Sequence, residues 1–265
     1  MNQERAAGRS GLGSPSMTIE VQGAGRLLQV GTATDVGRRY PANFDVLHTS
    51  ALQRRPGLCA VVADGMGASE GSRTAGRTAV DIFTTAVQEH RGPFAPPPLF
   101  AAVADAQRQV RAAGKTLREL TGCTLTALVA DATGAWVTQI GDSRVYRLRG
   151  GLLELLTIDH TEAWLGAVHG WYPADSPQAA AARYQLHRFI GHPGLPEPDV
   201  LSVTMFPGDV YCLCTDGIAE QVPYQRMEQT LSSAAPPDVM ASALVAASLE
   251  AGGRDNATAV VVKVF

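Results

Sequence analysis

Lysine is almost absent from this sequence: Lys115 and Lys263 stand alone against 20 arginines in 265 residues. With 25 acidic residues against 22 basic ones the formal charge is -3, so the chain lacks the basic footprint of a nucleic-acid binder. Charged residues make up only 18% and aromatics 6%, yet 45% of the chain is hydrophobic. That balance excludes a disordered or coiled-coil polypeptide. Long apolar runs are missing too. None reaches the roughly 18 residues that a membrane-spanning helix needs. The opening MNQERAAGRSGLGSPS (1–16) lacks the apolar segment of a secretory signal. Residues 1–16 therefore read as a flexible tail, native or lying upstream of a start at Met17. We expect no nucleic-acid partner, no membrane, and a cytoplasmic location. The four cysteines, Cys59, Cys123, Cys212 and Cys214, each sit in an apolar run and match no zinc spacing. They read as buried free thiols.

What is present is a dense alternation of strands and helices. MTIEVQ (17–22) and LLQVGTA (27–33) have strand character, and GLCAVVAD (57–64) is a short apolar run of a buried strand. Residues 71–90 have helical spacing without proline, RGPFAPPP breaks that helix, and a second runs from Pro98 to Leu120. CTLTALVAD (123–131), AWVTQI (135–140) and VYRLRGGLLELL (145–156) are strands, the last a hairpin turned at Gly150-Gly151. Residues 160–190 are Ala-rich and helical with a loop at 170–178. DVLSVTMF and DVYCLCTD are strands joined at Pro207-Gly208, a helix spans 236–249, and ATAVVVKVF (257–265) closes the chain. Short hairpin spacings favour antiparallel sheets in a layered α+β architecture.

Several aspartates sit at the ends of strongly apolar strands beside glycine or another turn residue: Asp64 in VVADGMG, Asp142 in QIGDSR, Asp216 in CLCTDG and Asp255 in GGRDNAT, with Asp45 in ANFDVL beginning or interrupting an early strand. One such Asp-Gly is ordinarily a hairpin turn. Four together suggest carboxylates gathered at one rim of a sheet. An oxygen-only ligand set suits hard cations, Mg²⁺ or Mn²⁺ rather than Zn²⁺. Glycine at Gly65 lets the backbone come close enough to offer its carbonyl.

The order of these segments resembles the metal-dependent protein phosphatases of the type-2C (PPM) family. The resemblance runs from TDVGRRYPANFD (34–45) through VVADGMG, TGCTLTALV, QIGDSRVYRL, LTIDHT and PGDVYCLCTDGI to GGRDNATAVVV (252–262). It implies an α-β-β-α sandwich of two antiparallel sheets flanked by helix pairs, and one phosphatase-like catalytic domain over 17–265. It also implies two Mn²⁺ or Mg²⁺ ions, with a third, weaker ion beside Asp142. By the same resemblance Asp64 bridges the metals, Gly65 offers its carbonyl, and Asp216 and Asp255 complete the other shell. Asp45 holds metal-bound waters, and Asn256 orders the loop around Asp255. The implied reaction is hydrolysis of phosphoserine or phosphothreonine on proteins by a metal-bound hydroxide, opposite a serine/threonine kinase. His160 and His192 are candidates for protonating the leaving oxygen from exposed loops.

Two departures stand out. The family's first motif carries an arginine where this chain has Tyr40, and a glutamate where it has Phe44. A phenol brings one hydrogen bond but neither charge nor fork, so Arg38 or Arg39 is the candidate to reach the phosphate. The segment 159–188, with Trp164, Trp171 and Tyr172, corresponds to a flap that either walls the substrate or packs against the sandwich. A non-catalytic phosphoprotein-binding member and a small-phosphoester phosphatase remain the competing readings.

Overall fold

A computed structural model describes residues 19–265; the expected tail at 1–16 and the start of the strand expected at 17–22 lie outside the described residues. The chain runs β1 (Ile19–Gly23), β2 (Arg26–Asp35), β3 (Val46–Ala51), β4 (Gly57–Ala63), α1 (Glu70–Glu89), α2 (Pro96–Leu117), β5 (Leu125–Asp131), β6 (Gly134–Ile140), β7 (Arg144–Arg149) and β8 (Leu152–Leu155). It continues through α3 (Glu162–His169), α4 (Pro177–Ala182), β9 (Asp199–Val203), β10 (Val210–Cys214), α5 (Asp216–Ala219), α6 (Tyr224–Leu231), α7 (Pro237–Glu250) and β11 (Ala257–Val264).

The strands form two sheets, one ordered β1-β2-β11-β10-β7-β8 and the other β3-β4-β5-β6-β9. Every pairing is antiparallel. All seven residues of β4 are buried, and the period of two explains why. Cys59, Val61 and Ala63 meet α1 and α2, whereas Leu58, Ala60 and Val62 meet the other sheet. In the same way Val260 and Val262 of β11 fill the space between sheets while Ala259 and Val261 face α7. Three apolar layers result, one between the sheets and one under each helical face, in the expected α-β-β-α arrangement.

Several boundaries differ from expectation for local reasons. Helix α2 starts at Pro96, two residues early, because prolines fit a first helical turn where the N–H has no partner. It ends at Leu117, where Arg118 turns left-handed at φ 58°. Strand β3 and helix α6 escaped the sequence pattern; no residue of β3 is fully buried, so it shows no clean alternation. The two strands flanking Pro207-Gly208 do not form a hairpin. β9 belongs to one sheet and β10 to the other, so the chain crosses the sandwich there. All four cysteines are free and buried, as expected, and burial pushes the Cys59 thiol up to about 12.

Candidate active site

Strand direction decides where the acidic residues go. β4 and β6 flank β5 and are both antiparallel to it, so Asp64 and Asp142, just past their ends, emerge at the same end of one sheet. In the other sheet β10 ends where β11 begins, which brings Asp216 and Asp255 together. The two sheets thus deliver four carboxylates to one end of the sandwich. They line a cavity of about 260 Å³ together with Gly65, Thr124 and Tyr40.

The backbone around Asp64 is held tightly. Its N–H donates to Thr124 Oγ1 at 2.9 Å, and its carbonyl accepts from the Thr124 N–H at 2.9 Å. Thr124 Oγ1 also lies 2.7 Å from Ser143 Oγ. A Cβ on Gly65 would stand 2.6 Å from the Ser72 carbonyl oxygen, so only glycine fits between α1 and the cavity. Asp45 does not line the cavity but sits behind it. The Thr215 hydroxyl donates to Asp45 Oδ2 at 2.9 Å, while Asp45 Oδ1 and Asp216 Oδ1 are buried without a partner. Asn256 acts on a different loop from the one expected. Its side chain donates to the carbonyls of Val36 at 2.8 Å and Ala42 at 3.1 Å and accepts from the Phe44 N–H at 2.7 Å. It therefore anchors residues 36–44, while only its backbone N–H reaches Asp255 Oδ1.

The electrostatics are one-sided. Burial, then the neighbouring carboxylates, push Asp64 and Asp142 well above the ordinary range. Burial raises Asp45 to about 7 and Asp255 to about 6, and the Asp216 charge adds to both. Glu220, next to the site, rises to about 7 for the same two reasons. No cationic side chain lines the cavity. The nearby Arg144 is engaged by Asp159, with bonds of 2.9 and 2.6 Å. Half-buried carboxylates facing one another, with only Arg39 and Arg144 nearby to offset them, hold protons more tightly or accept an external cation. Among the described residues no three His, Cys, Asp or Glu side chains form a ready-made ligand set. The donors suit hydrated hard cations, each bound through one or two carboxylates with water completing the shell.

At the departing positions, Tyr40 lines the cavity. The Arg39 guanidinium lies 5.0 Å from its ring centroid. Both arginines are exposed; Arg39 is the one stacked on the cavity residue Tyr40, while the Arg38 backbone N–H donates to the Gly253 carbonyl. Phe44 is 5% exposed, and Arg73 lies over its ring at 5.3 Å, so this position carries packing rather than a ligand.

The two histidines depart differently from the expectation of an exposed proton donor. His160 is 1% exposed, with both ring nitrogens engaged by Gly141 and Asp199, which removes it from the reacting phosphate. His192 is half-buried, its Nδ1 accepting from the Gly194 N–H. Trp164 and Trp171 are exposed on the flap but do not line the cavity; Tyr184, Leu186 and Leu120 do. The sequence pattern singles out neither those three nor Thr124. Thr124 lay within the TGCT segment, whereas the apolar lip carries no sequence signal.

Residues 42–250 match the protein phosphatase 2C family. The chain belongs to that family. This phosphatase-family chain is 26% identical over 209 residues to the serine/threonine phosphatase stp of Listeria monocytogenes, covering 77% of the chain and 83% of that protein. It is 29% identical to the serine/threonine protein phosphatase PstP of Mycobacterium tuberculosis over 77% of the chain, but spans only 40% of PstP. Among solved structures, the PPM Ser-Thr phosphatase MsPP of Mycobacterium smegmatis, in complex with cacodylate, superposes with a TM-score of 0.75. Identity there is 29%, with 89% of this chain and 98% of that one covered. The PstP catalytic domain in complex with two manganese ions superposes at 0.78 with 27% identity, covering 89% and 98%.

Proposed function

We propose that this chain is a Mn²⁺- or Mg²⁺-dependent serine/threonine protein phosphatase. Asp64, Asp216, Asp255 and the Gly65 carbonyl would hold two cations, Asp142 a third, and Asp45 the surrounding waters. The observation that carries the reading is the convergence of Asp64, Asp142, Asp216 and Asp255 on one cavity that no cationic side chain lines. Bound cations would supply an activated water and offset charge on the phosphoryl oxygens. The protein's own contribution is positional. Thr124 holds the Asp64 backbone from both sides, and Thr215 orients Asp45. Tyr40 offers one hydroxyl to the phosphate, with the Arg39 charge stacked on its ring in place of a direct guanidinium fork. Tyr184 and Leu186, on the far side of the flap, give the phosphorylated segment an apolar surface to lie against. The reading carries with it a cytoplasmic setting and a kinase that phosphorylates the same proteins.

Phe44 favours a second reading, a phosphoprotein-binding member without turnover, because its buried ring stands where a carboxylate would serve a cation. The two are separated with phosphoserine and phosphothreonine peptides. Turnover should vanish in EDTA, return with Mn²⁺ or Mg²⁺, and survive cysteine alkylation. Peptide binding without phosphate release at any Mn²⁺ concentration would favour the second reading, and activity that persists after exhaustive chelation would refute the metal-dependent one.

A further inference from the structure

We propose that His160 is a positioning residue: it grips the Gly141 peptide from both sides and thereby sets where the next residue, Asp142, projects into the cavity. The inference rests on the reading of Asp142 as a cation ligand.

Two hydrogen bonds define the grip. The His160 backbone N–H donates to the Gly141 carbonyl at 3.0 Å, and the Gly141 N–H donates to His160 Nδ1 at 3.0 Å. A backbone N–H can only donate, so Nδ1 carries no proton and the ring proton sits on Nε2. There it meets Asp199 Oδ2 at 3.1 Å. Arg188 Nη2 also lies against Nε2, but both are donors in this tautomer and make no bond; the Arg188 fork donates instead to the Asp199 carboxylate, at 2.8 and 3.2 Å. Asp199 accepts the hydrogen bond of the Nε2 proton and so holds the tautomer that Gly141 requires, while Arg188 holds the Asp199 carboxylate.

The position is over-determined in a way a packing histidine does not need. Gly141 adopts φ 111°, and a Cβ there would lie 2.6 Å from Thr124 Cγ2. The turn therefore packs directly on the residue that holds Asp64. The Gln139 side-chain amide also donates to the Gly141 carbonyl. On the other side of His160, Asp159 ties Arg144, and Thr161 caps α3 by accepting from the Trp164 N–H. The His160 carbonyl accepts from the His187 N–H at 3.0 Å. This last bond joins the outgoing and returning ends of the flap one residue from Leu186, a residue of the cavity lip. One buried residue therefore links the Asp142 turn and β9 through its ring, and the base of the flap through its backbone.

The test exploits the two amide side chains that imitate different halves of an imidazole. Asparagine presents its carbonyl oxygen where Nδ1 lies and can still accept from Gly141. Glutamine reaches the Nε2 position and leaves the Gly141 N–H without a partner. In metal-free protein His160→Gln should accelerate hydrogen exchange of the Gly141 amide at least about tenfold, while His160→Asn should stay close to wild type. In wild type, imidazole ¹⁵N shifts should report a proton on Nε2. With Mn²⁺ and an aryl phosphate, His160→Gln should raise the Mn²⁺ concentration for half-maximal turnover about tenfold, the scale typical of groups that orient metal ligands. Its KM for the phosphate should stay within about twofold, and His160→Asn should restore the Mn²⁺ response. Equal impairment of both variants would mean that ring volume matters rather than the acceptor, and would overturn the proposal. So would an unchanged Gly141 amide in His160→Gln, or a proton on Nδ1. If wild type shows no Mn²⁺-dependent turnover, the phosphatase reading fails, and the Gly141 amide alone decides the grip.

Discussion

Asn256 is the residue whose removal should separate architecture from chemistry most sharply. It is 3% exposed and makes three side-chain bonds to the 36–44 loop, at 2.7, 2.8 and 3.1 Å. Asn256→Ala strands the buried Phe44 N–H, at about 2 kcal/mol for an unsatisfied buried donor. It also removes two bonds to part-buried carbonyls, each contributing about 0.5 kcal/mol where water can take over. The sum, about 3 kcal/mol, corresponds to a fall in Tm of roughly 6–12 °C for a chain of this size. Asn43→Ala is the comparison, since that side chain donates to Thr34 in an exposed bond and accepts from the Asp45 N–H. It should lower Tm by only about 2–4 °C, for about 1 kcal/mol. Melting by circular dichroism in EDTA reads both variants without interference from bound metal. Because the loop carries Tyr40, Asn256→Ala should also raise KM for an aryl phosphate, in the variant's folded temperature range. A Tm loss in Asn256→Ala no larger than in Asn43→Ala would refute the accounting and the assignment of Asn256 as the anchor of this loop.

Three further outcomes follow from the site. Asp64→Asn should weaken the Mn²⁺ response and turnover together, and by a larger factor than Asp142→Asn; near-normal Mn²⁺-dependent activity in Asp64→Asn would remove Asp64 from the centre of the site. A charge-assisted bond contributes roughly 1.5–3 kcal/mol, so Tyr40→Arg should lower KM for an aryl phosphate by about tenfold or more while kcat moves little. If Arg39→Ala raises KM strongly and Tyr40→Arg changes nothing, the phosphate contact already belongs to Arg39; Arg38→Ala should be silent. Metal-free stability should fall as pH rises from about 5 to 7.5. Asp45 and Asp255 hold their protons to about 7 and 6 in the folded protein, whereas the unfolded chain releases them near 4, so the stabilisation present at acid pH is lost as pH climbs through the folded values. Chemical denaturation in EDTA at both pH values checks this, and a stability that rises across that window would contradict it.

Much of the architecture was legible because it is written in local pattern. A strand buried on both faces must be apolar at every position, as GLCAVVA is, and a hairpin between two such strands needs turn residues, as at Gly150-Gly151. The four cavity aspartates were visible for a related reason: Asp64, Asp142 and Asp216 each follow an apolar strand, and Asp255 stands just before one. Sequence could therefore supply the strands, the two long helices and the acids at their ends. The tertiary structure decided which ends meet. Antiparallel pairing across β5, and of β10 with β11, turns four separate strand ends into one cavity. Only the fold sends Asn256 to the 36–44 loop, since the hydrogen bonds span 212 to 220 residues and leave no local trace. Burial likewise reversed the reading of His160. An Asp-His-Thr segment between strands looks like an exposed loop, until the flap returns across it and closes both ring nitrogens against Gly141 and Asp199. The carboxylate pKa shifts belong to the same class: each aspartate is ordinary by itself, and only desolvation among like charges raises it.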